Sequence, residues 1–285
     1  MRLMRVGPVG GERPMAWAAP WFAYDLSELT DDIDGEFLRS ERFEEARTEV
    51  RLRRLPELNI AGQRIGAPVA RPHAVLCVSM NYAGHAAEAG QATPAAPVVV
   101  YKAPNTVIGP NDDISLPPGS TSTDWEAELT VVIGRQARYL SSVDVALDHV
   151  AGFAVSDDLA ERDFQVNRSG GQWATGKSFE TFNPLGPWLA TTDEIADPQA
   201  LGVRSWVNGE PRQEATTADM IFGVAELVYR LSQSTVLEPG DLINTGTPAG
   251  VAQSGKFAFL KAGDVVEVEI DGLGRQRNRC HPAPS

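Results

Sequence analysis

The sequence is short of cysteine and of long apolar runs, and each shortage excludes a class of protein. Two cysteines among 285 residues, Cys77 and Cys280, cannot make a disulfide framework. The apolar runs, such as 74–77 and 98–101, fall far short of the roughly 20 residues that span a bilayer. The opening stretch MRLMRVGPVGGERP has no continuous apolar segment, so we expect no secretory signal. These features together favour a cytoplasmic protein without disulfides.

Basic residues are in the minority, and this also narrows the possible partners. The chain has 25 Lys and Arg against 38 Asp and Glu, a formal charge of −13. An acidic chain repels phosphate backbones and anionic lipid surfaces, so we expect neither a nucleic-acid partner nor a membrane partner. Cys77 lies in an apolar run and is predicted to be a small buried hydrophobe. Cys280 and its neighbour His281 supply too few ligands for a zinc site.

A change of pattern near residue 70 divides the chain. Residues 37–55 mix Arg and Glu, which is typical of an exposed helix with ion pairs along its surface. The stretch Gly66–Pro72 then carries two prolines and a glycine, which mark a break between elements. We therefore expect a small N-terminal α/β domain over residues 1–70 and a main domain over 71–285.

Beyond residue 72, short apolar runs alternate with turns and few helices intervene. The runs predict six strands, at 74–80, 97–102, 128–134, 150–156, 202–209 and 264–271. Helical spacing predicts three helices, at 82–89, 143–148 and 219–232. The lack of strict strand–helix alternation disfavours Rossmann and TIM architectures. The segment Gly272–Gly274 lacks the third glycine and the following helix of a dinucleotide fingerprint. The main domain is therefore predicted to be a β-rich α+β fold.

Carboxylates at alternate positions of one predicted strand suggest a cation site. Glu128 begins the strand at 128–134 and Glu126 lies two residues before it. In an extended chain the two side chains share one face, about 7 Å apart. A solvated strand face would explain the pair as well. The alternative is a hard-cation site, where a divalent cation removes the repulsion and oxygen ligands select Mg²⁺ or Mn²⁺. The stretch 156–165, which begins where the strand at 150–156 ends, could supply a third carboxylate, although it could also be the start of a helix with Asp at its N-terminus.

Two further segments carry groups that could take part in chemistry. His85 and Glu88 lie one helical turn apart, so they could form a base that activates water, or an exposed surface pair. Lys177 follows a glycine-rich stretch and could bind a carboxylate or an enolate, although such a lysine could equally be exposed. The turn at 239–251 could hold a carboxylate through backbone amides and threonine hydroxyls, or could simply join two strands.

Six motifs, in this order and at this spacing, resemble the fumarylacetoacetate hydrolase family over about residues 72–275. They are NYAGHAAEAG, DWEAELTVVIG, GFAVSDDLAERDFQ, QWATGKSFETFNPLGPW, VNGEPRQ and LEPGDLINTGTPAGV. The resemblance implies a mixed β-roll or β-sandwich catalytic domain, a homodimer and a Mg²⁺ site that could also take Mn²⁺. The segments MRLMRVGPVG, DDIDG, GPNDDISLPPGS and GLGRQRN look like the branch that hydrolyses 2,4-didehydro-3-deoxy-L-rhamnonate or L-fuconate.

The resemblance also assigns roles to residues. The family's metal ligands fall on Glu126, Glu128 and Asp158, its water-activating pair on His85 and Glu88, its active-site lysine on Lys177, and its substrate contacts on Gln165 and Thr247. Three positions depart from the usual pattern: Asp157 stands where Asn is common, Glu180 where Asp is common and Val100 where Phe is frequent.

The implied reaction is hydrolysis of the C–C bond of a 2,4-dioxo acid to pyruvate and a second acid, as in the catabolism of sugar acids. Decarboxylation of oxaloacetate and tautomerisation of a 2-oxo acid are alternatives on the same fold, because both use the same enolate without attack by water. A binding protein that has lost the chemistry is the alternative from another class. The retained candidate residues favour an enzyme with a small-molecule substrate.

Overall fold

The computed structural model describes residues 1–283, and most of its ordered backbone is β-strand. The strands are β1 (Arg2–Val6), β2 (Arg13–Ala19), β3 (Phe22–Asp25), β4 (Glu57–Asn59), β5 (Ile65–Gly66), β6 (Val75–Ser79), β7 (Val98–Lys102), β8 (Val107–Ile108), β9 (Ile114–Leu116), β10 (Thr123–Asp124), β11 (Ala127–Ile133), β12 (Val150–Asp157), β13 (Ala160–Glu161), β14 (Asn183–Pro184), β15 (Leu189–Thr191), β16 (Gly202–Val207), β17 (Glu210–Thr216), β18 (Leu242–Asn244), β19 (Val265–Ile270) and β20 (Gly274–Pro282).

Helices are few and short by comparison. The α-helices are α1 (Gly35–Arg39), α2 (Glu41–Leu52), α3 (Ala83–Glu88), α4 (Trp173–Lys177) and α5 (Val224–Ser232). A π-helical turn covers Phe164–Arg168, and 3₁₀ turns cover Pro104–Thr106, Val143–His149, Thr192–Glu194, Thr217–Asp219 and Ala252–Ser254. None of the helices in the described part of the chain is long and apolar enough to cross a bilayer.

β11 and β12 are neighbouring central strands of the largest sheet. Its strand order is β4-β3-β2-β1-β15-β12-β11-β18-β6-β7, and β5 pairs beside β1. β11 and β12 run antiparallel with Ala127 opposite Asp157 and Leu129 opposite Val155. Every residue of both strands is buried, because other elements cover both faces of the sheet. β18 runs antiparallel to β11 and parallel to β6, so the chain segment after β18 begins beside the start of β11.

A second sheet closes the core. Its order is β17-β16-β19-β20-β9, with all pairs antiparallel except β20 with β9. Apolar side chains of both sheets and of α5, among them Leu129, Phe153, Leu227 and Val268, form one buried cluster. The mainly antiparallel sheets with few helices confirm the predicted β-rich α+β class.

The first 70 residues continue the large sheet. β1 hydrogen-bonds to β15, and the aromatic rings of Phe37 and Phe43 on α1 and α2 join a cluster that includes Val132 of β11. The large sheet runs across the predicted boundary at residues 70 and 71. The division into two domains there stays a prediction.

Most predicted elements form, with corrections at one helix and at several strands. All six predicted strands are present within two residues of their predicted ends, and the charged segment forms α1 and α2 with a break at Ser40. The helix predicted at 219–232 was too long, because Gly223 caps α5 and the helix begins at Val224. Several strands outside these six were not predicted, among them β2, β17 and β20. The outward residues of β20 are arginines, and its inward ones are Gln276, Asn278 and Cys280 rather than aliphatic side chains.

Candidate active site

Three carboxylates meet where β11 begins and β12 ends. The N–H of Asp158 donates to the carbonyl of Glu126 (2.9 Å), so the antiparallel register brings Asp158 beside Glu126 and Glu128. One carboxylate oxygen of each of the three lies within 4.8 Å of the others. All three residues are buried, with at most 5% of their surface exposed. The interpretation of Glu126 and Glu128 as a solvated strand face is therefore wrong, because a central strand has no solvated face.

Two buried lysines hold Asp158. Lys177, at the end of α4, donates from Nζ to Glu126 Oε2 (2.8 Å), Asp158 Oδ2 (2.7 Å) and the Asp158 carbonyl (3.0 Å). Lys102, on β7, pairs with the other Asp158 oxygen and donates to the carbonyls of Leu159 and Phe182. Burial opposes ionisation of Asp158, but the two ammonium groups outweigh it and hold its pKa well below the usual range. Lys177 is 1% exposed, so the alternative of an exposed lysine is wrong.

Glu128 differs from its two neighbours. Its Oε2 accepts the N–H of Gly246 (2.7 Å), and no ammonium or guanidinium group within residues 1–283 pairs with it. Burial, and then the negative charges of Asp158 and Glu126, raise the pKa of Glu128 well above its ordinary value. A cation placed among the three carboxylates would remove this repulsion.

The residues present fit a hard divalent cation. Lys102, Lys177 and Arg162 pair with Asp158 and Glu126, and within residues 1–283 no cationic group pairs with Glu128. The donor atoms of the triad are carboxylate oxygens, the ligands that Mg²⁺ and Mn²⁺ prefer.

Arg162 is a site residue that the sequence alone did not single out. Its guanidinium pairs with Glu126 Oε1 (2.6 Å), Asp124 Oδ2 (2.9 Å) and Gln165 Oε1 (2.9 Å). Burial opposes its charge, but Glu126 and Asp124 outweigh the burial and raise its pKa further above the usual range. Arg162 therefore stays cationic and holds the side chain of Gln165 beside Glu126. The sequence pointed to Arg162 only through its place in the motif GFAVSDDLAERDFQ, four residues after Asp158.

His85 and Glu88 lie close together but are not hydrogen-bonded. His85 Nδ1 is 3.9 Å from Glu88 Oε2, and that oxygen accepts the N–H of Gly250 (2.9 Å) instead. His85 is only 4% exposed, so an exposed surface pair is excluded. Burial lowers the pKa of His85, which keeps its ring neutral and able to accept a proton.

A small cavity of about 50 Å³ lies beside several of these groups. Its lining includes both predicted substrate contacts, both glutamates of the triad, the histidine and the arginine: Gln165, Thr247, Glu126, Glu128, His85 and Arg162. Glu88, Asp158 and Lys177 are not part of the lining.

The three departures from the family pattern have different surroundings. The carboxyl of Asp157 is fully buried and accepts the N–H of Glu126 (2.8 Å), and burial raises its pKa to about 7. Val100 packs inside the sheet, whereas Glu180 is exposed. Only Asp157 is therefore placed to influence the charge of the site.

The fold and the site define a β-rich enzyme with a buried acidic centre, and comparison with known proteins gives the family. The model of the fumarylacetoacetate (FAA) hydrolase C-terminal family matches residues 74–281. The chain therefore belongs to the fumarylacetoacetate hydrolase family.

Relatives and solved structures resemble the chain over nearly its whole length. A protein of Burkholderia multivorans, which carries a provisional name as a hydrolase, is 44% identical over 97% of both chains. The maleylpyruvate hydrolase of Sphingobium sp. SYK-6, solved with manganese(II) ion and pyruvate, is 26% identical with a TM-score of 0.82 over all of both chains. The 2-hydroxyhepta-2,4-diene-1,7-dioate isomerase of Mycobacterium marinum is 31% identical with a TM-score of 0.77, also over all of both chains.

Proposed function

We propose that this protein is a divalent-metal-dependent hydrolase that cleaves the C–C bond of a 2,4-dioxo acid, an acylpyruvate, to pyruvate and a second acid. The observation that carries the proposal is the buried triad of Glu126, Glu128 and Asp158 with Lys177 held against it. A hydrolase and an isomerase of the same fold, one of them solved with manganese and pyruvate, support a 2-oxo acid as the substrate class.

The three carboxylates would hold the Mg²⁺ or Mn²⁺ ion. When bound, the ion would supply a Lewis acid toward the oxygens of the 2-oxo acid. Water adds to the C4 carbonyl, the C3–C4 bond breaks, and its electron pair stays on C3 as the enolate of pyruvate. The ammonium of Lys177 stays protonated because Asp158 and Glu126, despite burial, raise its pKa. A fixed buried cation beside the developing enolate lowers the energy of the transition state. Protonation of C3 then completes pyruvate.

His85 and Glu88 would activate the water. The neutral ring of His85 lines the cavity and can take a proton, and Glu88 beside it can stabilise the resulting imidazolium. The bond from Gly250 to Glu88 keeps the two side chains 3.9 Å apart, so α3 has to shift by a small amount for them to bond.

That separation favours a second candidate, enolate chemistry without water. Isomerisation of a 2-oxo acid or decarboxylation of oxaloacetate needs the cation and Lys177 but no assembled His85–Glu88 pair. The isomerase among the solved structures is consistent with this candidate.

A substrate panel separates the two candidates. The protein, with Mg²⁺ or Mn²⁺ and then with EDTA, is given acetylpyruvate, longer acylpyruvates, 5-hydroxy-2,4-dioxohexanoate and oxaloacetate, and pyruvate is measured. Hydrolysis predicts cation-dependent pyruvate from an acylpyruvate together with the matching acid. Pyruvate from oxaloacetate alone would favour the second candidate, and no turnover of any compound would contradict the proposal.

Three finer assignments belong to the same proposal. The sugar-acid branch predicts that 5-hydroxy-2,4-dioxohexanoate, which would yield pyruvate and lactate, is the best compound of the panel. The homodimer predicts twice the chain mass of 30.7 kDa in light scattering. The cytoplasmic location remains an expectation from the sequence.

A further inference from the structure

Gln213 reaches from the second sheet into the site. It lies on β17, is 2% exposed, and makes four hydrogen bonds with its side-chain amide. Its Oε1 accepts from the N–H of Ala127 (3.1 Å) and the hydroxyl of Ser205 (2.8 Å). Its Nε2 donates to Thr247 Oγ1 (2.7 Å) and to the carbonyl of Pro248 (2.8 Å). The amide therefore uses both of its acceptor sites and both of its donors.

The orientation of this amide is determined by its backbone partners. The N–H of Ala127 can only donate, so the atom that faces it has to be the oxygen. The carbonyl of Pro248 can only accept, so the atom that faces it has to be the nitrogen. The hydroxyl of Thr247 consequently accepts from Gln213, and it donates its own proton to the carbonyl of Ala127 (3.0 Å).

These contacts close a ring around the backbone between two of the metal-ligand candidates. The N–H of Ala127 belongs to the peptide that joins it to Glu126, and its carbonyl belongs to the peptide that leads to Glu128. Gln213 holds the first peptide directly, and it holds the second through Thr247. Both glutamate side chains therefore leave from peptide planes that are anchored to the same buried amide.

We propose that Gln213 is a positioning residue that sets the separation of the Glu126 and Glu128 carboxylates and holds the Thr247 loop against them. This inference rests on the proposed function, because it assumes that the two glutamates bind a cation. It adds a residue that the proposed reaction itself does not use. Outer groups that orient metal ligands typically change metal affinity by about 10- to 100-fold when they are removed.

The test measures Mn²⁺ binding by calorimetry, without turnover. In Gln213→Met, all four hydrogen bonds are lost at similar volume, and we expect Mn²⁺ affinity to fall by about 10- to 100-fold. Gln213→Leu is made in parallel, so that one variant remains if the other fails to fold. In Gln213→Glu, one oxygen still accepts from Ala127 and Ser205, but no N–H remains for Thr247 and the Pro248 carbonyl, so we expect a partial recovery, with an affinity between those of Gln213→Met and the parent.

The matched control is Gln276→Met. Gln276 is also fully buried and also donates to two backbone carbonyls, those of Val155 and Gly186, but it contacts none of the three candidate ligands. We expect its variant to lose stability and to keep the Mn²⁺ affinity of the parent.

The outcomes separate this inference from the proposed function. Parent affinity in Gln213→Met or Gln213→Leu would overturn the inference, and so would a Gln213→Glu variant that binds Mn²⁺ as weakly as they do. If the substitutions act only through a general loss of stability, Gln213→Glu, which buries a charge, should bind Mn²⁺ most weakly of the three variants. Positioning by Gln213 predicts instead that it binds Mn²⁺ most tightly of the three. A parent protein that binds Mn²⁺ but cleaves no acylpyruvate would refute the proposed function alone. A parent that binds no Mn²⁺ would overturn both.

Discussion

Replacing Glu128 by Gln is predicted to stabilise the metal-free protein while removing its response to a divalent cation. The carboxylate oxygens of Glu126 and Asp158 lie within 4.8 Å of an oxygen of Glu128. Two unit charges at that separation repel by about 3.5 kcal/mol at an effective dielectric constant of 20. Lys177 offsets part of this repulsion, so we expect the free energy of unfolding of Glu128→Gln in EDTA to exceed that of the parent by about 2 kcal/mol.

The gain should depend on pH with a definite sign. Burial and the neighbouring carboxylates raise the pKa of Glu128 in the folded state. A folded state with the higher pKa binds more protons than the unfolded state, so the parent loses stability as pH rises above the unfolded pKa of about 4.3. The stabilities of parent and variant should therefore converge near pH 4 and separate as the pH rises, with the variant higher.

Urea unfolding followed by tryptophan fluorescence measures both effects. Mn²⁺ at a hundredfold excess over its dissociation constant should stabilise the parent by about 2.7 kcal/mol and Glu128→Gln by much less. Glu57→Gln, at an exposed position of β4, is the control and should change neither quantity. A Glu128→Gln protein that is less stable than the parent in EDTA, or that Mn²⁺ stabilises as strongly, would refute the reasoning.

Three further predictions concern neighbouring residues. Lys177→Met leaves two buried carboxylates without their shared ammonium, so unfolding in EDTA should become easier by about 3–5 kcal/mol; parent-like stability would show that the contacts do not form. His85→Ala should lower acylpyruvate hydrolysis by roughly 10²–10⁴-fold, while the calorimetric Mn²⁺ affinity stays that of the parent; an unchanged rate would remove His85 from the mechanism. Gly176→Ala places a Cβ about 2.5 Å from the backbone N of Gln165, so urea unfolding should show a loss of about 1–3 kcal/mol, and no loss would mean that this contact is looser than described.

The sequence predicted the parts of the site that depend on local spacing. Glu126 and Glu128 alternate on one strand, and His85 and Glu88 lie one turn apart, so local geometry alone suggested both pairs. The glycine-rich stretch before Lys177 singled out that residue, and the resemblance to a family added Asp158. The positions of both beside the glutamates depend on α4 and on the register of β11 with β12.

The groups that hold these residues in place were not predicted. Arg162 meets its partner Asp124 across 38 residues of chain, and Gln213 meets Ala127 across 86. Such pairs are brought together by sheet pairing and by the packing of two sheets, and neither leaves a periodic signal in the sequence. The same holds for Lys102, which ends an ordinary apolar strand and gives no sign that it pairs with Asp158.

The most direct test of the central claim is hydrolysis of acetylpyruvate in ¹⁸O-labelled water with Mn²⁺, followed by mass spectrometry of the products. Attack of water on the C4 carbonyl predicts acetate that carries one ¹⁸O atom from the solvent, formed in step with pyruvate and abolished by EDTA. Acetate without the label, or no acetate when pyruvate forms from oxaloacetate, would contradict the assignment of this protein as a C–C bond hydrolase.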